Sequence, residues 1–99
     1  MTINKTNEND TFTLELEGRL DTTSAPLLEN ELVSAFNEAK KITLDFTKLA
    51  YVSSAGLRAL LVGQKTAEGK GASMTISGVS QEIMEIFEMT GFSDMLTIA

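Results

Sequence analysis

The chain has 99 residues, 42% of them hydrophobic, and a formal net charge of −6 from 8 basic and 14 acidic side chains. That length holds one domain, residues 1–99, built around one core, and the apolar fraction is that of a folded rather than a disordered chain. The sequence contains no histidine and no cysteine. It therefore offers no disulfide framework, no thiolate metal site and no Ser-His-Asp or Cys-His machinery, so we assign no catalytic or metal-binding residue, expect no cofactor and do not read the chain as an enzyme.

The basic residues are scattered, at Lys5, Arg19, Lys40, Lys41, Lys48, Arg58, Lys65 and Lys70. Nucleic acid and anionic membranes both reward a concentrated basic face, so neither is an expected partner. The first eight residues hold no apolar run, and the longest unbroken apolar stretch is 59–62. A secretory signal and a membrane-spanning helix are therefore not expected, and a cytoplasmic location is.

Residues 12–17 alternate apolar and polar, which predicts a half-buried strand ended by Gly18. The polar run 7–10 before it predicts a turn, with Ile3 and its neighbours as the other arm of a hairpin. Thr22, Thr23, Ser24 and Pro26 mark a helix start, where hydroxyls accept free amides and Pro fits the first turn. Leu28, Leu32, Ala35, Phe36 and Ala39 then recur at helical spacing. A second alternating strand is predicted over 42–46, followed by a loop over 47–52. A second helix starts at 53–56 with Leu57, Leu60, Leu61 and Gln64 on one face, and Gly69-Lys70-Gly71 stops it.

Alternation over 72–77 predicts another strand. Ser80 is placed to cap a third helix with Ile83, Ile86 and Phe87 on its inner face. Gly91 sits where a left-handed cap belongs, with Phe92 folding back onto Phe87. Residues 96–98 read as a short edge strand. The order β-β-α-β-α-β-α-β predicts an α/β domain with a mixed sheet of four to five strands and three main helices. The unit from 42 to 77 should be a right-handed parallel crossover.

One segment departs from this plain pattern. Residues 45–57 run Asp-Phe-Thr-Lys-Leu-Ala-Tyr-Val-Ser-Ser-Ala-Gly-Leu, a strand leading to two hydroxyls and a glycine at a helix start. Free amides and the positive end of the helix dipole favour a phosphate there, whether on a ligand or attached to serine. The same residues also fit an ordinary capping pair, with Ser53 or Ser54 satisfying the first turn. A hydrolase elbow fits poorly, because Val52 stands where the first glycine belongs and no histidine exists to activate Ser54. Asp21 fits a pre-helix loop whose short polar side chain bonds to backbone, and Asp45 a strand end. The glycines have neither dinucleotide nor P-loop spacing.

Three stretches together resemble the STAS domain family, and within it the bacterial anti-sigma factor antagonists. They are Gly18-Arg19-Leu20-Asp21, then Asp45-Phe46 with Tyr51-Val52-Ser53-Ser54-Ala55-Gly56-Leu57, then Glu88-Met89-Thr90-Gly91-Phe92. The resemblance spans nearly the whole chain. It implies a protein that binds an anti-sigma factor of the Ser/Thr kinase type, is released when a serine opening the second helix is phosphorylated, and is restored by a Ser/Thr phosphatase. It places the phospho-acceptor on Ser54, with Ser53 as a rival. Asp21, Thr22, Ser53, Ser54, Gly56 and Arg58 are expected to form one partner-contact patch, where the loop after the second strand lies beside the start of the second helix and Gly56 lets a partner approach the backbone closely. Ser53 stands where many members have Asp, Ala55 where many have Ser or Thr, and Arg58 where a small residue is often found. The family's other occupation, a non-switching scaffold or accessory subunit of a transporter or sensory complex, is the alternative.

Overall fold

Two residues that both accept a left-handed backbone set the first hairpin. Asn9 (φ 51°) and Asp10 (φ 68°) form its turn, the two-residue geometry whose twist matches the flanking strands. β1 (Thr2–Glu8) and β2 (Thr11–Leu20) pair antiparallel across it in this computed structural model, which describes residues 1–99. The expected turn over 7–10 thus shrinks to its last two residues.

From β2 the chain runs through α1 (Ala25–Glu38), β3 (Lys41–Val52), α2 (Ser54–Gly69), β4 (Ser73–Ser77) and α3 (Gln81–Thr90), then a 3-10 turn over Phe92–Asp94. The sheet order is β1-β2-β3-β4, with β2, β3 and β4 parallel. The mixed sheet and three helices match the expected fold class, at the lower strand number. The fifth strand expected over 96–98 is only a single parallel bridge, Ile76 to Ile98. No helix is long and apolar enough to cross a membrane.

The largest departure lies in β2 and β3, which do not stop at Gly18 and Phe46. Glu15 pairs with Asp45 but Glu17 with Lys48, and Gly18 pairs with Leu49 but Arg19 with Tyr51. Each step leaves one extra residue in β3, a bulge. The buried positions accordingly change spacing, from Ile42, Leu44 and Phe46 to Phe46, Leu49 and Val52. A strand whose inward residues fall three apart has no period of two, which is why 47–52 reads as a loop in the sequence.

The helices bury the faces their spacing predicts, except that Ile86 of α3 is only half-buried and the inner face of α2 is shifted. Leu28, Leu32, Ala35 and Phe36 of α1 are buried. On α2, Leu57 and Leu60 are buried, but Leu61 and Gln64 are only half-buried, and the inner line runs instead through Gly56, Ala59, Gly63 and Ala67. Small residues are needed there because α2 packs closely: a Cβ on Gly63 would stand 2.7 Å from Leu32 Cδ1 and 2.9 Å from Met74 Sδ. Ser80 Oγ accepts from Ile83 N at 3.2 Å and so caps α3. Phe87 of α3 lies on the sheet with its ring 6.4 Å from that of Phe46.

Candidate functional site

The second bulge decides what meets at one end of the sheet. It aligns Arg19 with Tyr51 and Leu20 with Val52, and Ser53 N donates to Leu20 O at 2.9 Å. The corner between β2 and α1 therefore lies beside the start of α2, as expected for one shared patch.

At that start the two serines do different work. Ser53 has an extended backbone (φ −93°, ψ 175°), and its Oγ accepts from Gly56 N at 3.2 Å. It is the cap, and its hydroxyl is committed to the helix. Ser54 is the first residue of α2, is exposed, and makes no side-chain hydrogen bond within the chain. Its hydroxyl is free at the end where helix amides lack intrahelical acceptors.

At the neighbouring corner, Ser24 is the residue before α1 but makes no capping bond. It is buried instead, accepting from Asp21 N at 2.9 Å and donating to Arg19 O at 2.7 Å. The amides of the turn pass to Asp21, whose Oδ1 accepts from Thr23 N at 3.1 Å and Ser24 N at 3.2 Å. Asp21 thus bonds to backbone as its pre-helix position predicts. Thr22 beside it is exposed. The Ser24 amide is the main reason the Asp21 carboxyl is held below its ordinary range, with the Ser24 hydroxyl, the Thr23 amide and Arg19 adding to it against partial desolvation.

Asp45 belongs elsewhere. It lies within β3 rather than at a strand end, and its Oδ1 accepts from Thr47 Oγ1 at 2.6 Å and Thr47 N at 2.9 Å. These bonds, the hydroxyl's first, hold its carboxyl below the ordinary range. They also brace the backbone at the first bulge. Asp21 and Asp45 are each occupied by their own turn and do not act as a pair.

A measurable acid response follows from these two groups. In the unfolded chain an Asp titrates near about 3.9, and both folded values lie lower. Below that pH the unfolded state binds more protons, so the stabilisation present at neutral pH is lost as pH falls through the folded values. The urea midpoint should stay level from pH 7 to pH 5 and drop below about pH 4. Asp21→Asn and Asp45→Asn, which keep an acceptor oxygen but cannot titrate, should each reduce the drop between pH 5 and pH 3. An unchanged drop in both would show that these carboxylates do not govern it.

Gly56 requires a correction. Expected as an exposed partner contact, it is buried, and a Cβ there would stand 2.8 Å from both Leu20 O and Leu20 Cγ. It is glycine so that α2 can lie on the backbone of β2, not so that a partner can approach. Arg58 is exposed, one turn beyond Ser54. Two residues that the sequence reading did not place here also border the patch. The Arg19 guanidinium stacks over the exposed Tyr51 ring at 4.2 Å, and Arg19 Nε lies 3.8 Å from Asp21 Oδ2. Their meeting depends on the bulged register, which no local pattern signals.

The one sizeable depression, about 760 Å³, is bordered by Asn9, Asp10, Lys40, Lys41 and Lys70. It lies by the hairpin turn and the end of α1, away from the patch. Lys40 Nζ donates to Lys70 O at 3.0 Å and Lys70 Nζ to Asn37 Oδ1 at 2.8 Å, so two of its lysines already serve the fold.

A family model described as "Mlab, STAS domain" matches residues 3–97. Among curated proteins, the anti-sigma-B factor antagonist of Bacillus subtilis is 28% identical over 95 residues, covering 96% of this chain and 86% of the relative. The anti-sigma-B factor antagonist of Listeria monocytogenes is 26% identical over 95 residues, covering 95% of this chain and 83% of the relative. Among solved structures, the anti-sigma factor antagonist SpoIIAA in its unphosphorylated form superposes with a TM-score of 0.78 at 15% identity, covering 99% of this chain and 87% of that one. Its phosphorylated form, described as a Bacillus cell fate determinant, superposes with a TM-score of 0.76 at 17% identity, covering 99% and 91%.

Proposed function

Because this chain belongs to the STAS domain family, we propose that it is an anti-sigma factor antagonist: it binds a kinase-type anti-sigma factor and is released when Ser54 is phosphorylated. The observation that carries the reading is the division of labour between the two serines. Ser53 is engaged with Gly56 N, whereas Ser54 is exposed and unbonded, so a kinase can modify Ser54 without uncapping α2. Curated relatives named as anti-sigma-B factor antagonists support the partner class, and a relative of the same fold known in a phosphorylated form supports the modification.

In the proposed step, Ser54 Oγ attacks the γ-phosphorus of ATP held by the partner. The hydroxyl proton leaves to a base, the bond to the bridging oxygen breaks, and ADP departs. The chain itself supplies the acceptor and its position, and the kinase supplies the chemistry. A Ser/Thr phosphatase would return the free hydroxyl by hydrolysis. A phosphate adds about −1.5 to −2 charges at neutral pH. The start of a helix tolerates that charge, but a surface packed against a partner must desolvate it. On this reading the contact surface is Asp21, Thr22, Ser53, Ser54 and Arg58, bordered by Arg19 and Tyr51.

The test incubates the purified chain with a kinase-type anti-sigma factor from the same organism. Complex formation without ATP, loss of the complex with ATP, and a phosphate localised to Ser54 by mass spectrometry are expected. A chain that neither binds nor is modified would instead be a non-switching scaffold.

A further inference from the structure

Arg58 is the cation of the patch that has nothing to do in the unmodified protein. It is exposed and forms no ion pair or side-chain hydrogen bond, whereas Arg19 at the same end is engaged with Asp21 and Tyr51. Its helical neighbours three and four residues away are Ser54, Ala55, Leu61 and Val62, none of them acidic. The only one of these positions that can become an anion is Ser54.

We propose that Arg58 is the built-in counter-ion of the modified residue. When Ser54 carries a phosphate, the Arg58 guanidinium closes back over one helical turn and donates charge-assisted hydrogen bonds to the phosphate oxygens. This rests on Ser54 being the modified residue, as proposed above. Residues four apart on a helix are about 5–6 Å apart at Cβ, and long side chains lean toward the helix N-terminus, so Arg58 leans toward Ser54. An acid four residues before a base is also the favourable order for such a pair. The planar fork of Arg suits two phosphate oxygens at once. No acceptor within the chain has to give up the guanidinium first. Among the other charges at this end, Asp21 is held by Arg19 and by the amides of its own turn. The modified protein would thus carry part of the phosphate charge compensated, with its oxygens occupied and less open to a phosphatase.

The test places phosphoserine at position 54 during synthesis, so no kinase is needed, and follows its second ionisation by phosphorus NMR. In the chain with Arg58 the midpoint should lie about 0.15–0.4 pH unit below that of Arg58→Gln, the size of an exposed pair at this spacing. The difference should collapse in 1 M salt, where the screening length falls to about 3 Å. Arg58→Lys, which keeps the charge but not the fork, should fall between. Arg58 is exposed, so these variants should fold, which circular dichroism checks. Equal midpoints for wild type and Arg58→Gln would overturn the inference. Absence of kinase-dependent modification would overturn only the reading it rests on.

Discussion

Ser54→Ala should remain bound to its kinase-type anti-sigma factor when ATP is added, while the unsubstituted chain is released with affinity lowered roughly a hundredfold, about 3 kcal/mol. The substitution removes the hydroxyl that is exposed and unbonded, and alanine is a good helix former, so the fold should be unaffected. The capping bond is made by Ser53, so Ser53→Ala should show the opposite profile: phosphate still enters at Ser54, but the chain loses about 1 kcal/mol of stability with its cap. Ser54→Asp should weaken the complex only in part, since a carboxylate carries one charge and fewer acceptor oxygens than a phosphate. The assay mixes kinase, ATP and each variant, then measures phosphate incorporation and complex retention. Equal phosphate on Ser54→Ala would move the acceptor to Ser53.

Gly56→Ala should destabilise the domain by about 1–3 kcal/mol, the usual cost of forcing atoms into a packed site. In a domain of this size that lowers the thermal midpoint by about 4–8 °C for each kcal/mol. In an open helix the same change would stabilise by up to about 1 kcal/mol. The sign reverses here because one of the atoms met at 2.8 Å is the Leu20 carbonyl oxygen, part of the β2 backbone. A leucine cannot turn a backbone oxygen aside by changing rotamer. Larger residues at position 56 should fail to fold rather than merely fail to bind. An unchanged or raised midpoint for Gly56→Ala would show that β2 and α2 part easily.

What was legible in the sequence is what local rules govern. Ser80, Gly91 and the line from Leu28 to Phe36 fall where capping and helical spacing put them. The alternation at 12–17 and 42–46 takes in the stretch up to Glu15 and Asp45 where β2 and β3 pair without interruption. Illegible were the features that depend on a distant segment. The far half of β3 is a strand only because β2 tolerates two extra residues opposite it. Gly56 is read as a glycine for a partner until Leu20, thirty-six positions away in sequence, is seen beneath it. Ser53 and Ser54 are alike as letters and are separated only by the backbone angles that turn one hydroxyl onto Gly56. Arg19 and Tyr51 could not be joined before the second bulge was known.

The bond from Ser53 N to Leu20 O also bears on when the patch comes into being. Its two sides lie on parallel strands joined through a whole helix, a pairing that must close a long loop before any contact rewards it. A nascent chain that has left the ribosome only as far as α1 carries Asp21 and Thr22 but no α2 to stand beside them. A chain with α2 formed but β2 and β3 unpaired presents Ser54 on a helix without its floor. Neither species offers the complete surface, so a partner that reads it engages only finished molecules. By mass action that engagement then draws the population toward the folded state.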